Sequence, residues 1–110
     1  MVVELVIFLG TQLVISRPNW YRVYSDGWIE QGGVITITAT HHLYGQSGNF
    51  NTPFNSRVVW IGGGTLKSNN NKISNFGVYN YTKTGFNWTL SYNQANDSLT
   101  TEVCWYACGY

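Results

Sequence analysis

Charge is what this 110-residue chain has least of: Asp, Glu, Lys and Arg together make up 10% of it, under half the usual share of a soluble domain. The formal net charge is +1, from six basic and five acidic side chains. A nucleic-acid partner would need a basic stripe, and none is present. The acids are Glu4, Asp26, Glu30, Asp97 and Glu102. A glycoside hydrolase would have to draw its paired carboxylates from these. Asp26 is committed to a turn, as argued below, and Glu30 has no carboxylate neighbour in sequence. There is no Gly-x-Ser-x-Gly elbow and no persuasive order of serine, histidine and acid. Gly62-Gly63-Gly64 lacks the Lys-Ser/Thr of a phosphate loop. The chain reads as a binding module, with no catalytic chemistry and no cofactor expected.

Cysteine is scarce too, limited to Cys104 and Cys108. Both fall in a strand-like run, where their spacing puts them on one face roughly 13 Å apart. A disulfide needs Cα atoms within about 7 Å. Two free thiols are expected, behaving as small buried hydrophobes in a protein folded in a reducing compartment. Histidine is confined to His41-His42. Neighbouring strand residues point to opposite faces, so no metal site is expected within one chain; an assembly placing one histidine per copy on a three-fold axis would be the exception. Residues 5–15 are apolar except for Gly10, Thr11 and Gln12. That run is too short to span a bilayer, and Glu4 stands where a signal peptide would be basic.

Helical periodicity is missing, and alternation takes its place. In Phe86-Asn87-Trp88-Thr89-Leu90-Ser91-Tyr92 every second residue is large and apolar, the pattern of a strand with one buried face. Further strands are predicted at 2–9, 20–25, 28–31, 34–40, 57–61, 73–81 and 101–109. Residues 41–53 read as a polar loop, 62–64 as a bulge or bend, and 67–72, 82–85 and 93–97 as turns. Short strands at regular spacing predict one all-β domain over 1–110, an antiparallel β-sandwich-like knob. Its aromatic content of 16% is high for a monomer of this size, and a homotrimer interface would bury the excess.

The most informative stretch is Trp20-Tyr21-Arg22-Val23-Tyr24-Ser25-Asp26-Gly27-Trp28-Ile29-Glu30-Gln31-Gly32-Gly33. Asp26-Gly27 between two aromatic-rich runs predicts a two-residue type I′ hairpin. Counting outward, Val23 would face Glu30, Arg22 would face Gln31, and Tyr21 and Trp20 would lie opposite Gly32 and Gly33. Rings over cross-strand glycines stabilise a sheet by covering bare backbone.

This stretch closely resembles a signature, WYRVYSDGWxEQGG, of bacteriophage tail-fibre C-terminal domains. Val2-Val3-Glu4 resembles the VVE that often precedes it. Thr84-Gly85-Phe86-Asn87-Trp88 is similar to the TGF strand of that family, and Trp105-Tyr106-Ala107-Cys108-Gly109-Tyr110 to its W-x-A-x-G-Y ending. Residues 41–75 match no family pattern. The resemblance implies a distal fibre domain in a virion, made in the host cytoplasm. It implies a homotrimer that touches a bacterial surface glycan or outer-membrane protein, with no cofactor and no nucleic acid. The alternatives are a trimerisation or folding cap of the fibre and a stand-alone carbohydrate-binding module.

The signature residues Trp20, Tyr21, Asp26, Gly27, Trp28, Gly32 and Gly33 are expected to be structural. Recognition is expected in loops carried on the rigid scaffold, where Asn, Gln, Ser and Tyr can hydrogen-bond sugar hydroxyls. The candidates are His41, His42, Tyr44, Gln46, Asn49, Phe50 and Asn51, then Asn69, Asn70 and Asn71, with Asn93, Gln94 and Asn96 as further choices. Phe86, Trp88, Tyr92 and Trp105 are expected in the core.

Overall fold

A computed structural model describes residues 4–8, 11–16, 18–39, 43–68, 74–92 and 99–110. They form nine strands: β1 (Glu4–Phe8), β2 (Thr11–Ser16), β3 (Asn19–Tyr24), β4 (Ile29–Ala39), β5 (Leu43–Asn49), β6 (Val58–Ser68), β7 (Ser74–Tyr81), β8 (Gly85–Tyr92) and β9 (Leu99–Gly109). Every pairing is antiparallel. One sheet has the order β1-β2-β3-β4-β9-β6 and the other β5-β8-β7, giving the two-layer, all-β architecture expected from alternation.

The alternation also says which face is inside. On β9 the odd residues Thr101, Val103, Trp105 and Ala107 are buried, while Glu102, Cys104, Tyr106 and Tyr110 lie on the other face and are more open. On β8, Phe86, Trp88 and Leu90 are buried. They meet Val103, Trp105 and Ala107 of β9, Ile29 and Ile37 of β4, and Phe50 and Phe54 from the segment after β5. Phe86, Trp88 and Trp105 are thus core, as expected; the side chain of Tyr92 is outside the described residues. Cys104 and Cys108 are both free, but Cys104 is exposed. It stands on the outer face of β9, so only Cys108 is the buried thiol expected of both.

Four sequence expectations are corrected. The strand predicted at 2–9 is followed by a second, unpredicted strand, β2, and the two form an antiparallel pair with Leu5 opposite Val14. Residues 43–49 are strand β5 paired with β8, not loop. Predicted strands 28–31 and 34–40 are one strand running through Gly32-Gly33. Gly62-Gly63-Gly64 does not bend β6: its register shifts fall at Val59 and Leu66 on either side. A Cβ on Gly63 would run into the backbone oxygen of Cys104, so this glycine permits close approach of β6 to β9.

A fifth correction is the hairpin. Tyr24 N–H donates to Trp28 C=O (2.8 Å), and Gly27 N–H donates to Tyr24 C=O (3.0 Å). Gly27 alone in the turn has positive φ, +92°. The loop therefore has three residues and closes on a left-handed glycine, and Asp26 Oδ1 accepts from Trp28 N–H at 3.0 Å. Val23 faces Ile29, Arg22 faces Glu30, Tyr21 faces Gln31 and Trp20 faces Gly32. The expected register was one residue off. It would have put Val23 and Glu30 on one face; the observed one puts Val23 with Ile29 inside and Arg22 with Glu30 outside, because a one-residue slip exchanges faces.

Candidate functional site: a neutral cleft between the sheets

The two sheets close against each other where β6 packs beside β7. The opposite side is open. β3 pairs with β4 only as far as Gly32, whereas β9 pairs with β4 as far as Ala39. Beyond Gly32, β4 therefore has an uncovered edge among the described residues. β5, the edge strand of the other sheet, faces it. Between them lies a cleft of about 390 Å³, within the size range of small-molecule sites.

Its floor is aromatic. Phe86 and Trp105 meet at 5.1 Å between ring centroids with their planes tilted by 47°, and Trp88 also lines the cleft. Phe86 folds across its cross-strand partner Gly48, where a Cβ would stand 2.7 Å from the ring. Trp105 covers Gly33, its cross-strand partner on β4, in the same way, with its Nε1 2.9 Å from the Cβ position. The rim is polar and uncharged: Asn19, Thr36, Ser47, Asn49 and Asn51. Trp88 Nε1 is buried with no hydrogen-bond partner among the described residues. No acid or base lines the cleft. The arrangement suits an uncharged, hydroxyl-bearing ligand with one apolar face.

The wall is held rigidly. Gln31 is completely buried; its Nε2 donates to Thr52 C=O (2.8 Å) and its Oε1 accepts from Thr52 N–H (3.1 Å). Asn51 Nδ2 donates to Trp20 C=O (2.7 Å) and Gly32 C=O (2.8 Å). Phe50 N–H and Phe54 N–H donate to Thr84 C=O and Lys83 C=O, at 2.9 and 2.8 Å. The segment between β5 and β6 is thereby fastened to both sheets.

The predicted contact residues are divided by this geometry. Asn49 is exposed on the cleft rim. Asn51 is on the rim too, but its amide nitrogen is committed to the backbone of β3 and β4. Phe50 is turned inward, against Phe54, Phe86 and Trp105; a large apolar ring between two sheets belongs to the core. Tyr44 is exposed and Gln46 half-buried, on the bulged part of β5 away from the cleft lining. His41, His42, Asn69, Asn70, Asn71, Asn93, Gln94 and Asn96 lie outside the described residues. Sequence reasoning missed Asn19, Thr36 and Ser47, and treated Trp88 and Trp105 as core alone. Nothing local marks them, since five separate strands, β3, β4, β5, β8 and β9, bring them together.

The signature residues turn out to be wired to one another. Glu30 accepts from Tyr24 Oη (3.2 Å) and Trp28 Nε1 (3.4 Å), and pairs with Arg22 at 3.9 Å. Tyr24 Oη in turn accepts from Arg22 Nη1 at 3.5 Å, the first cause of a raised Arg22 pKa. Trp20 covers Gly32 and touches Tyr106, which touches Trp60, at centroid distances of 6.2 and 5.9 Å.

The fold and cleft together define a class: an antiparallel sandwich, nine-stranded among the described residues, with a neutral cleft at its open side. Solved structures with this fold are found among pyocin tail fibres. The chain superimposes on an N-truncated R1-type pyocin tail fibre with a TM-score of 0.76 at 14% identity, over 93% of this chain and 87% of that one. An N-truncated R2-type pyocin tail fibre gives 0.67 at 15% identity, over 93% of this chain and 38% of that one. A C-terminal portion of the Pseudomonas aeruginosa R1 pyocin fibre gives 0.70 at 14% identity, over 84% and 26%. The chain thus spans well under half the length of two of these three structures. At such identities the likeness is one of fold. No protein-family model matches the sequence, and no curated protein matches it.

Proposed function

We propose that this chain is a distal domain of a tail fibre, on a phage or a phage-tail-like particle, that works as a homotrimer and attaches the particle to a bacterial surface. The observation that carries the reading is the shared fold with pyocin tail-fibre domains over 93% of the chain. The hairpin signature agrees with it, since those residues hold the fold. The neutral cleft supports a surface glycan as ligand over an outer-membrane protein: its rim amides and hydroxyls can bond sugar hydroxyls, and no charged side chain lines it. Three such sites on one knob, and several fibres on one particle, turn weak single-site binding into useful avidity.

The test is binding of the fluorescently labelled domain to a panel of intact bacteria, alongside Ser47→Trp, which fills the cleft, and Asn49→Ala, which strips its rim. Binding to a narrow set of strains, lost in both variants, is expected. A folded trimer that binds no strain would overturn the receptor-binding reading and leave the trimerisation-cap role.

A further inference from the structure

We propose a second glycan-binding surface on the outer face of the six-stranded sheet, where a neutral sugar stacks on the open indole of Trp60 beside Tyr106 and turns its hydroxyls toward Glu30 and Arg22. This rests on the receptor-binding reading above and adds a site outside the cleft.

The sheet register builds the surface. Trp20, Gly32, Tyr106 and Gly62 stand opposite one another across β3, β4, β9 and β6, and Arg22, Glu30, Cys108 and Trp60 form the next row. Residues directly opposite in a sheet share a face, and so do residues two apart along a strand. The core lies on the other face, where Val103, Trp105 and Ala107 meet Phe86, Trp88 and Leu90. On the outer face large rings alternate with glycines and lie over bare backbone. A Cβ on Gly62 would stand 2.7 Å from Cη2 and 2.8 Å from Cζ2 of Trp60. That edge of the indole is held against the strand, yet Trp60 remains 52% exposed. Tyr106 follows at 5.9 Å between ring centroids, and Trp20 at 6.2 Å from Tyr106. Further along β6, a Cβ on Gly64 would meet nothing within 4 Å, and its cross-strand partner Cys104 is exposed. The rings therefore border an open floor.

The occupant follows from the chemistry of the face. Arg22 and Glu30 are both still reached by solvent. Tyr24 Oη and Trp28 Nε1 donate to Glu30 at 3.2 and 3.4 Å, and a carboxylate has about four acceptor positions. Capacity remains there for a hydroxyl, and the Arg22 guanidinium is a fork of donors. A pyranose supplies both halves of the match: an apolar C–H face for the rings and a rim of hydroxyls for the ion pair. Tryptophan and tyrosine suit contacts that are apolar at one end and wet at the other. The only charged residues of β3, β4, β6 and β9 are Arg22, Glu30, Lys67 and Glu102. With two of each sign, the sheet favours neither an anionic nor a cationic polymer. A second copy of the chain is the poorer match. It would have to take Arg22 and Glu30 out of water at a separation of 3.9 Å, and so loose a pair does not repay its desolvation. A sugar hydroxyl takes the place of the water instead.

The experiment is nuclear magnetic resonance on the isotope-labelled domain, titrated with glucose, galactose, mannose and N-acetylglucosamine. The Trp60 indole N–H signal is identified by its absence from Trp60→Ala. At least one of the four sugars should shift it, and Ser47→Trp, which fills the cleft, should keep that shift. Gly64→Arg fills the open floor where a Cβ meets no neighbour, so it should fold normally and lose the shift. A sugar that moves the Trp88 indole and leaves Trp60 unmoved overturns the proposal and leaves the cleft reading intact; no shift at Trp60 with any of the four overturns it too. On bacteria that the labelled wild-type domain binds, Trp60→Ala and Gly64→Arg should both lose binding while keeping the wild-type mass by light scattering. Undiminished binding of Gly64→Arg overturns the proposal, whereas a wild type that binds no strain overturns the reading beneath it. Dissociation of either variant into smaller species would make this face a contact between copies, and would overturn the proposal as well.

Discussion

The indole of Trp20 lies across Gly32, with Nε1 and Cε2 at 3.0 and 3.2 Å from where a Cβ on that glycine would stand. The same Cβ would be 2.7 Å from the backbone oxygen of Trp105. A ring can swing away, but a strand backbone paired on β9 cannot. Gly32→Ala should therefore destabilise the domain by about 1–3 kcal/mol, the cost of overpacking a well-fitted site. Gly64→Ala is the control, because a Cβ there meets nothing within 4 Å. Urea unfolding checks both: the midpoint should fall for Gly32→Ala with little change in slope, and should hold for Gly64→Ala.

Gln31 makes a different kind of contact. Its amide both donates to and accepts from Thr52, at 2.8 and 3.1 Å, in a fully buried position. Gln31→Leu keeps the volume and removes both partners. Each backbone group left unpaired costs about 1–3 kcal/mol, so a loss of about 2–6 kcal/mol is expected. The loss should appear as a lower thermal midpoint, and first as faster hydrogen exchange at Thr52. Unchanged exchange there would mean that Asn51 and the Phe50 and Phe54 amides fasten the segment without Gln31.

How much of this was written in the sequence can be judged at the hairpin. Its existence follows from Asp26-Gly27, and so does a ring lying over a cross-strand glycine, but Trp20 was placed opposite Gly33 and lies over Gly32. The register was misread because a turn motif was weighed above the burial pattern. Val23 and Ile29 are apolar while Arg22 and Glu30 are oppositely charged, and this pairing selects the three-residue loop. β5 was read as loop because Tyr44-Gly45-Gln46-Ser47-Gly48-Asn49 has no apolar alternation. Its strand character comes from pairing with β8, which supplies the hydrophobic face. The cleft was only half legible. Asn49 was singled out, but Asn19, Ser47 and Trp88 come together only through pairings between residues distant in sequence.

The two thiols should report the outer face of β9. Cys104 is exposed, and Cys108 is buried, with burial as the first cause raising its pKa. The thiolate is the reactive species, so Cys104 should react with a small disulfide reagent near neutral pH and Cys108 should lag by about tenfold or more. Mass spectrometry after brief labelling identifies the modified residue. Equal rates at both would mean that β9 frays at its C-terminal end, next to Tyr110.

Tyr106 gives the last prediction, because it sits in the middle of the outer aromatic row between Trp20 and Trp60. Burial first, and the nearby charge of Glu30 second, push its phenol up from the ordinary 10.0 to about 12. The folded chain then holds this proton more tightly than the unfolded chain does. The resulting stabilisation is complete below the unfolded value near 10 and is lost as pH rises from there to about 12. Tyrosinate absorbance should show a step at about pH 12 that Tyr106→Phe removes. Unfolding at about pH 8 and about pH 11 should then separate the two proteins. The wild type loses more stability between those values than Tyr106→Phe does. An equal loss would place the alkaline sensitivity elsewhere in the domain and detach Tyr106 from the packing of the row.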